Sequence, residues 1–147
     1  MNLYDRSTVC LLDVASIERA RPGKIYQAGC ILVQVSATQG KTVLMGEAGE
    51  VPSKYAVIDP DRSMVSPRYL RLVLDMELPA FLARYQTTIN IQMGVFARLM
   101  LDIHNDLDTQ EAVADVADLM DRRIDGVSRG IQMLKDFRAV HLDAMFV

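Results

Sequence analysis

Two cysteines, Cys10 and Cys30, are all the sequence holds. They are too few for a disulfide framework or a four-cysteine zinc site, and read instead as small buried side chains. Histidine is as scarce. His104 and His141 stand 37 residues apart with no HExxH or CxxC spacing, so neither reads as a metal ligand. His104 is expected in a loop, and His141 at a packing or partner contact. There is no G-x-S-x-G, and no serine or cysteine has a base near it in sequence. No apolar run approaches the ~20 residues of a membrane-spanning helix. The opening MNLYDRSTVC lacks a basic stretch followed by an apolar core, so no secretory signal is expected. These absences predict a cytoplasmic protein with no metal and no cofactor.

What is present is enough for a core. The 147 residues are 50% hydrophobic and 24% charged, which suits one domain, or a small domain with an appendage. The net charge of −3 counts against a chain coated in nucleic acid. It is unevenly spread. Residues 1–105 hold 11 basic and 10 acidic side chains, whereas residues 106–147 hold 5 basic and 9 acidic. Any nucleic-acid contact therefore belongs to the first part.

The first hundred residues change texture often. Val9–Ala20 fits a short helix or a strand–helix element, broken by Arg21-Pro22-Gly23. Cys30–Val35, Thr42–Met45 and Tyr55–Ile58 are β-branched, apolar runs, and 25–60 is expected to form a compact β-meander. Gly40-Lys41 supplies a turn, and Asp59-Pro60 stops the third strand. Ser66-Pro67 opens a helix, with Ser as cap and Pro at the first position. Its apolar face lasts to Tyr85, with Pro79 expected to kink or split it. Thr87–Ile91 is expected to be extended, Gly94–Met100 a helical turn, and Leu101–Ile103 a last strand.

The tail differs. Asp108–Met145 contains no proline, and Asp108 or Thr109 can cap a helix there. Such a helix would run roughly 57 Å. Val113, Ala117, Met120, Ile124, Val127, Ile131 and Leu134 recur at alternating steps of four and three, the seam of a coiled coil. The next seam position is Arg138; Phe137, His141 and Ala144 or Met145 carry the stripe on instead. Gly126 and Gly130 would let a neighbouring helix approach, while the aspartates decorate a solvated outer face. A domain of about a hundred residues cannot cover so long a stripe. The tail is therefore expected to dock on another helix, from a second copy or a different protein. The fold class is α+β: a small mixed α/β domain over 1–105, then one long coiled-coil helix over 106–147.

Two other patterns need weighing. Ser36–Thr42 ends in Gly-Lys-Thr, like a phosphate-binding loop. Its first glycine should stand at 35, which is Val35, and its Lys-Thr should open a helix, whereas Thr42–Met45 is strand-like. A hairpin turn fits better than a nucleotide site. Basic residues gather loosely at Arg19, Arg21 and Lys24, at Lys41, at Lys54, and at Arg62, Arg68 and Arg71. From charge alone they are solvated surface.

The tail from Gln110 to Ile124 resembles the conserved-region helix of the specificity subunits of type I restriction–modification systems. Gln110, Val113, Val116, Met120, Asp121 and Ile124 fall in that pattern's slots, and Leu134–Arg138 with Leu142–Phe146 resemble its close. Upstream, Gly29–Val33, Ser66–Leu70 and Phe96–Ile103 resemble segments of the family's target-recognition domain. Where the family usually carries prolines before the glutamine, this chain has His104–Thr109. A full specificity subunit has two recognition domains and two such helices; this chain has one of each.

The resemblance implies a half-size subunit. Its 1–105 domain would be target-recognition-like, and its helix would pair antiparallel with a second copy along Val113, Ala117, Met120, Ile124, Val127, Ile131, Leu134 and Phe137. The homodimer would read a bipartite site in double-stranded DNA. Arg19, Arg21, Lys24, Lys41, Lys54 and Arg68 are the candidates for DNA contact. Methyltransferase subunits, and through them a restriction subunit, would dock on the frame. The alternative is an interaction module that pairs with full specificity or methyltransferase subunits without reading DNA.

Overall fold

The computed structural model describes residues 2–35, 40–85 and 90–145, with side chains through His141. Two compact units emerge, Met1–Ala114 and Asp115–Val147.

The first unit is built on a four-stranded antiparallel sheet. Its strands are β2 (Ala15–Arg19), β4 (Ile31–Gln34), β5 (Thr42–Leu44) and β7 (Tyr55–Pro60), in the order β2-β7-β4-β5. Two short ladders accompany it: β1 (Arg6–Cys10) with β8 (Met100–His104), and β3 (Ile25–Tyr26) with β6 (Gly49–Glu50). The expected meander over 25–60 does not form. β7 instead returns to lie between β2 and β4, pairing Ile58 with both Ile17 and Ile31. This puts β7 and β4 at the sheet's centre. Strand β7 also runs on through Asp59 to Pro60, which pairs with Ala15 at the strand's end.

The centre of the sheet is covered on both faces. Ile31, Val33, Val35, Ala56 and Ile58 belong to the main core with α2 (Pro67–Tyr85). Cys30, Val57 and the half-buried Leu32 turn the other way, onto Tyr26, Ala20 and Val51. A strand buried on both sides has no polar alternation, which is why Ile31-Leu32-Val33 reads as a solid apolar run.

The stretch expected as one ambiguous element over Val9–Ala20 is three: the end of β1, the single turn α1 (Leu11–Val14), and β2. Leu11 and Val14 are buried in the main core, so packing decides for a turn where propensity was neutral. Cys10 is half-buried rather than buried, with its Sγ 3.3 Å from the Ala97 carbonyl oxygen. Cys30 is buried as expected.

Helix α2 starts as its sequence requires. Ser66 Oγ accepts from the Tyr69 N–H at 3.5 Å, and Pro67 occupies the first position. Pro79 does not split the helix, which is continuous from Pro67 to Tyr85. Leu74, Leu78, Phe81 and Leu82 are buried on both sides of the proline. Opposite it comes Gly40 at φ +76°, where a Cβ would meet Leu82 Cδ1 at 3.3 Å. Tertiary burial here outweighs the missing N–H of one proline.

Beyond α2, Ile91 donates its N–H to the Val35 carbonyl at 2.9 Å. The remainder of the expected extended piece, Thr87–Ile89, lies outside the described residues, as do Ser36–Gln39 of the Gly-Lys-Thr loop. Lys41-Thr42 leads into β5 and not a helix. A 3-10 turn over Met93–Arg98 replaces the expected turn over Gly94–Met100, and β8 follows.

His104 is not a loop residue. It ends β8 and is buried, with its Nδ1 2.7 Å from the Tyr69 hydroxyl. The same hydroxyl accepts the His104 backbone N–H at 3.0 Å. The one hydroxyl thus bridges the His104 backbone N–H and the ring Nδ1. Tyr69→Phe would leave a buried N–H and ring nitrogen without partners. It is expected to lower stability by about 1–3 kcal/mol, read as a shift in urea midpoint at unchanged slope.

Candidate functional site

Helix α3 (Leu107–Met145) opens inside the first unit, and its root is the most polar buried place there. Asp106 is the cap, not Asp108 or Thr109. Its Oδ2 accepts both the Thr109 N–H at 2.9 Å and the Thr109 hydroxyl at 2.7 Å, and its carbonyl takes the Gln110 N–H. Thr109 in turn accepts the Asn2 N–H at 3.1 Å. Asn105 ties the same corner to Asp5 through a backbone and a side-chain hydrogen bond.

Gln110 completes the root. It is fully buried. Its Oε1 accepts the Ser66 N–H at 2.8 Å. Its Nε2 donates to the His104 carbonyl at 2.8 Å and the Met64 carbonyl at 3.2 Å. One amide thus satisfies the cap residue of α2, the loop before it and the last residue of β8. Only an amide does this, because it presents a double donor and an acceptor on one flat group. Beside it Arg68 pairs with Glu111 at 2.9 Å. Val113 and Ala114 pack on the main core. Gln110 was legible only as a slot in a family pattern; no spacing rule marks a buried bracket.

The Thr109 hydroxyl and then the Thr109 N–H hold the Asp106 carboxyl below the usual carboxylate range. With the folded value lowered, the cap's contribution is complete above the unfolded-state value and is lost as pH falls through the folded one. Asp106→Ala is therefore expected to destabilise the chain at neutral pH, with the difference from wild type shrinking in acid. Urea midpoints at neutral and acid pH measure it; a pH-independent difference would contradict the cap role.

Within the second unit, Met120, Ile124, Val127, Ile131, Leu134 and Phe137 are all exposed, Ile124 at 60% and Leu134 at 70%. Ala117 is half-buried. The Phe137 and His141 rings lie tilted against each other, with centroids 4.0 Å apart. The stripe's continuation at Ala144 or Met145 lies outside the described side chains. Gly126 and Gly130 have open space where a Cβ would stand.

The apolar face is wider than the seam alone. Leu119, Met133 and Val140 are exposed on one further row, spaced by sevens through Gly126, and Val116 on another that leads to Phe137. At 100° per residue these rows cover about 160° of the helix. Asp115, Asp118, Asp121, Asp125, Gln132 and Asp136 occupy the remainder. A two-helix seam needs only two rows. The extra rows were missed in sequence because the four-three step was followed along its strongest line.

The six residues expected to touch DNA do not form one patch. Arg19, Arg21, Lys24 and Lys54 share the end of the sheet where β2 leaves and β7 begins. There Arg19 Nε donates to the Ser53 carbonyl at 2.8 Å. Arg21 and Lys24 both pair with Glu18, whose carboxyl is held below its usual range first by Lys24. Lys54 lies over the Tyr55 ring at 5.3 Å. Arg68 is at the root of α3, paired with Glu111, and Lys41 is at the start of β5. A cleft of about 320 Å³ near the first group is lined by Glu18, Lys24, Tyr26, Cys30 and Asp59. Burial, and Asp59 after it, push the Cys30 thiol up.

Sequence reasoning passed over Arg84 and Arg98. Both lie over the ring of Tyr85, at 5.5 and 5.9 Å from its centroid. They are 14 residues apart in sequence, on the last turn of α2 and the 3-10 turn, and no local pattern joins them. Among the described residues there is no group of three or more potential metal ligands, and no helix is long and apolar enough to cross a membrane.

No family model matches the sequence, and no curated protein matches it. Solved structures do. A chain solved in work on complex assembly and conformational transition of the type I R-M system superimposes with a TM-score of 0.74 at 15% identity. The HsdS subunit from Thermoanaerobacter tengcongensis gives 0.68 at 15% identity. The type I restriction–modification S subunit from M. genitalium gives 0.66 at 12%. These cover 87–88% of this chain but only 40–42% of theirs. At such identities the likeness is one of fold, and it includes the small mixed domain followed by the long helix.

Proposed function

We propose that the chain is a non-catalytic DNA-specificity component of a type I restriction–modification system, acting as a half-subunit. The observation that carries this is the fold likeness over nearly the whole chain to solved S subunits. Two copies would pair their α3 helices antiparallel, an isologous contact of the self-complementary kind. The pair would hold two recognition domains at a separation fixed by helix length, so that the two half-sites of an inverted target are read with a set spacer. Base-edge contacts would choose sequence, and phosphate contacts would orient the domain.

The width of the exposed face supports a further partner. A second copy needs the seam rows. The rows through Leu119, Met133 and Val140 remain for the helices of methyltransferase subunits, which would bring a restriction subunit with them. The chain would work in the cytoplasm, where DNA and these subunits meet.

A specific observation favours the non-reading module as the second reading. Arg21, Lys24 and Arg68 are committed to carboxylates, so half of the expected DNA contacts are neutralised in place. Titration of the full chain against a pool of random duplexes at several salt concentrations separates the two. Sequence enrichment with a steep loss of affinity in salt supports the reader. Binding to specificity or methyltransferase subunits with no DNA affinity supports the module.

A further inference from the structure

Most cations of the first unit are paired, and two that have no acidic partner among the described residues meet at one ring. Arg6, Arg21, Lys24, Arg62, Arg68 and Arg71 each have a carboxylate within ion-pair distance. Arg19 is tied to a backbone carbonyl. Arg84 and Arg98 have no acidic partner among the described residues, yet they share one ring. Like charges brought together repel. Holding two guanidiniums over Tyr85 with no anion between them is a standing cost, offset only in part by the ring's quadrupole.

The surroundings suit a charged ligand. Clefts of about 310 and 440 Å³ flank the pair, the first lined by Glu77, Phe81, Arg84, Tyr85 and Arg98, the second by Asn90, Gln92, Arg84 and Arg98. Glu77 makes no ion pair with either arginine among the described contacts. Two sequence-distant elements supply the cations, the end of α2 and the 3-10 turn, and both rest on buried Phe81 and Phe96, whose rings stack at 6.3 Å. The pair therefore stands on packed core.

We infer that Arg84 and Arg98, held on Tyr85, form a contact site for the phosphate backbone of double-stranded DNA. The inference rests on the reader function proposed above and names the surface that would meet the duplex. A duplex is favoured over a single strand by the ring itself. Tyr85 carries a guanidinium at each of two positions and Phe81 at 4.9 Å, which leaves it poorly placed as a platform for an unstacked base. The guanidinium N–H edges stay free to donate to phosphate oxygens.

The test is the salt dependence of binding by the full chain to a random-sequence 30-bp duplex, comparing Arg84→Gln/Arg98→Gln with Arg6→Gln/Arg62→Gln. Both variants remove two exposed positive charges, but the second pair is already neutralised by Asp102 and Asp59. Two lost phosphate contacts should lower the slope of log K against log salt by about 2, and weaken binding roughly 50-fold near 0.1 M salt. The control should keep the wild-type slope. Equal losses in both variants, or an unchanged slope in the first, would overturn this site and leave the reader function standing on other residues. Preference for single-stranded over duplex probe, or for a phosphopeptide, would overturn it as well. Absence of any DNA binding by wild type would overturn the site and the reader function together. Thermal melting of each variant confirms that the exposed substitutions leave the fold intact.

Discussion

Gln110→Leu is expected to destabilise the first unit by about 3–5 kcal/mol. Leucine fills the volume and is apolar, so the change would be harmless if Gln110 were only a packing residue. Instead it strands three backbone groups: the buried Ser66 N–H and His104 carbonyl, and the part-buried Met64 carbonyl. Each unsatisfied group costs on the order of 1–3 kcal/mol when water cannot reach it. Some relaxation around Met64 should reduce the sum. Urea unfolding of the full chain at a fixed protein concentration measures it; a loss under about 1 kcal/mol would show that the bracket is dispensable.

Gln110→Glu separates hydrogen bonding from volume. Its carboxylate keeps the Ser66 acceptor but sets negative charge against two carbonyl oxygens. Its folded pKa must rise above the unfolded value, since only the protonated acid can donate there. Stability of this variant relative to wild type should therefore recover as pH falls and be worst at neutral pH, the same direction as for Asp106→Ala. The bracket fixes the first turn of α3 on the first unit.

Ile124→Asp with Ile131→Asp is expected to convert a dimer to monomer, raising the dissociation constant by a thousandfold or more. Both side chains are exposed in the single chain, so the aspartates cost nothing there. In a paired seam each carboxylate would be desolvated without a partner, at several kcal/mol per site, and a two-fold interface counts each twice. Sedimentation equilibrium reads the outcome directly. Asp125→Asn lies on the polar rows and should leave the dimer unchanged. If wild type sediments as a monomer at tens of micromolar, or the double variant as a dimer, pairing of α3 copies through this stripe is wrong. The face would then be left to a different protein.

The secondary structure divides instructively into what could and could not be read. Ser66-Pro67 announced α2, and the unbroken apolar run of β4 announced a strand covered on both sides. Local chemistry dictates those. Pro79 does not split α2, because a proline's local cost is fixed while the burial of Leu74, Leu78, Phe81 and Leu82 around it depends on the sheet. The order of strands misled for the same reason: β7 takes the centre between β2 and β4 through long-range pairing that no turn residue encodes.

The long helix and its greasy stripe were determined by the sequence alone, because a 3.5-residue repeat is a property of neighbours along one chain. So was the absence of metal-ligand spacing. Tertiary structure alone decided the rest of the site. It chose Asp106 as cap, turned His104 inward onto Tyr69, bound Gln110 to backbone groups of Met64, Ser66 and His104, and tied half of the expected DNA-contacting cations to acids. It also brought Arg84 and Arg98 onto one ring. The physical reason is common to all of these. Charge and hydrogen bonding act across space with no periodicity along the chain, so their partners become visible only when the backbone has folded.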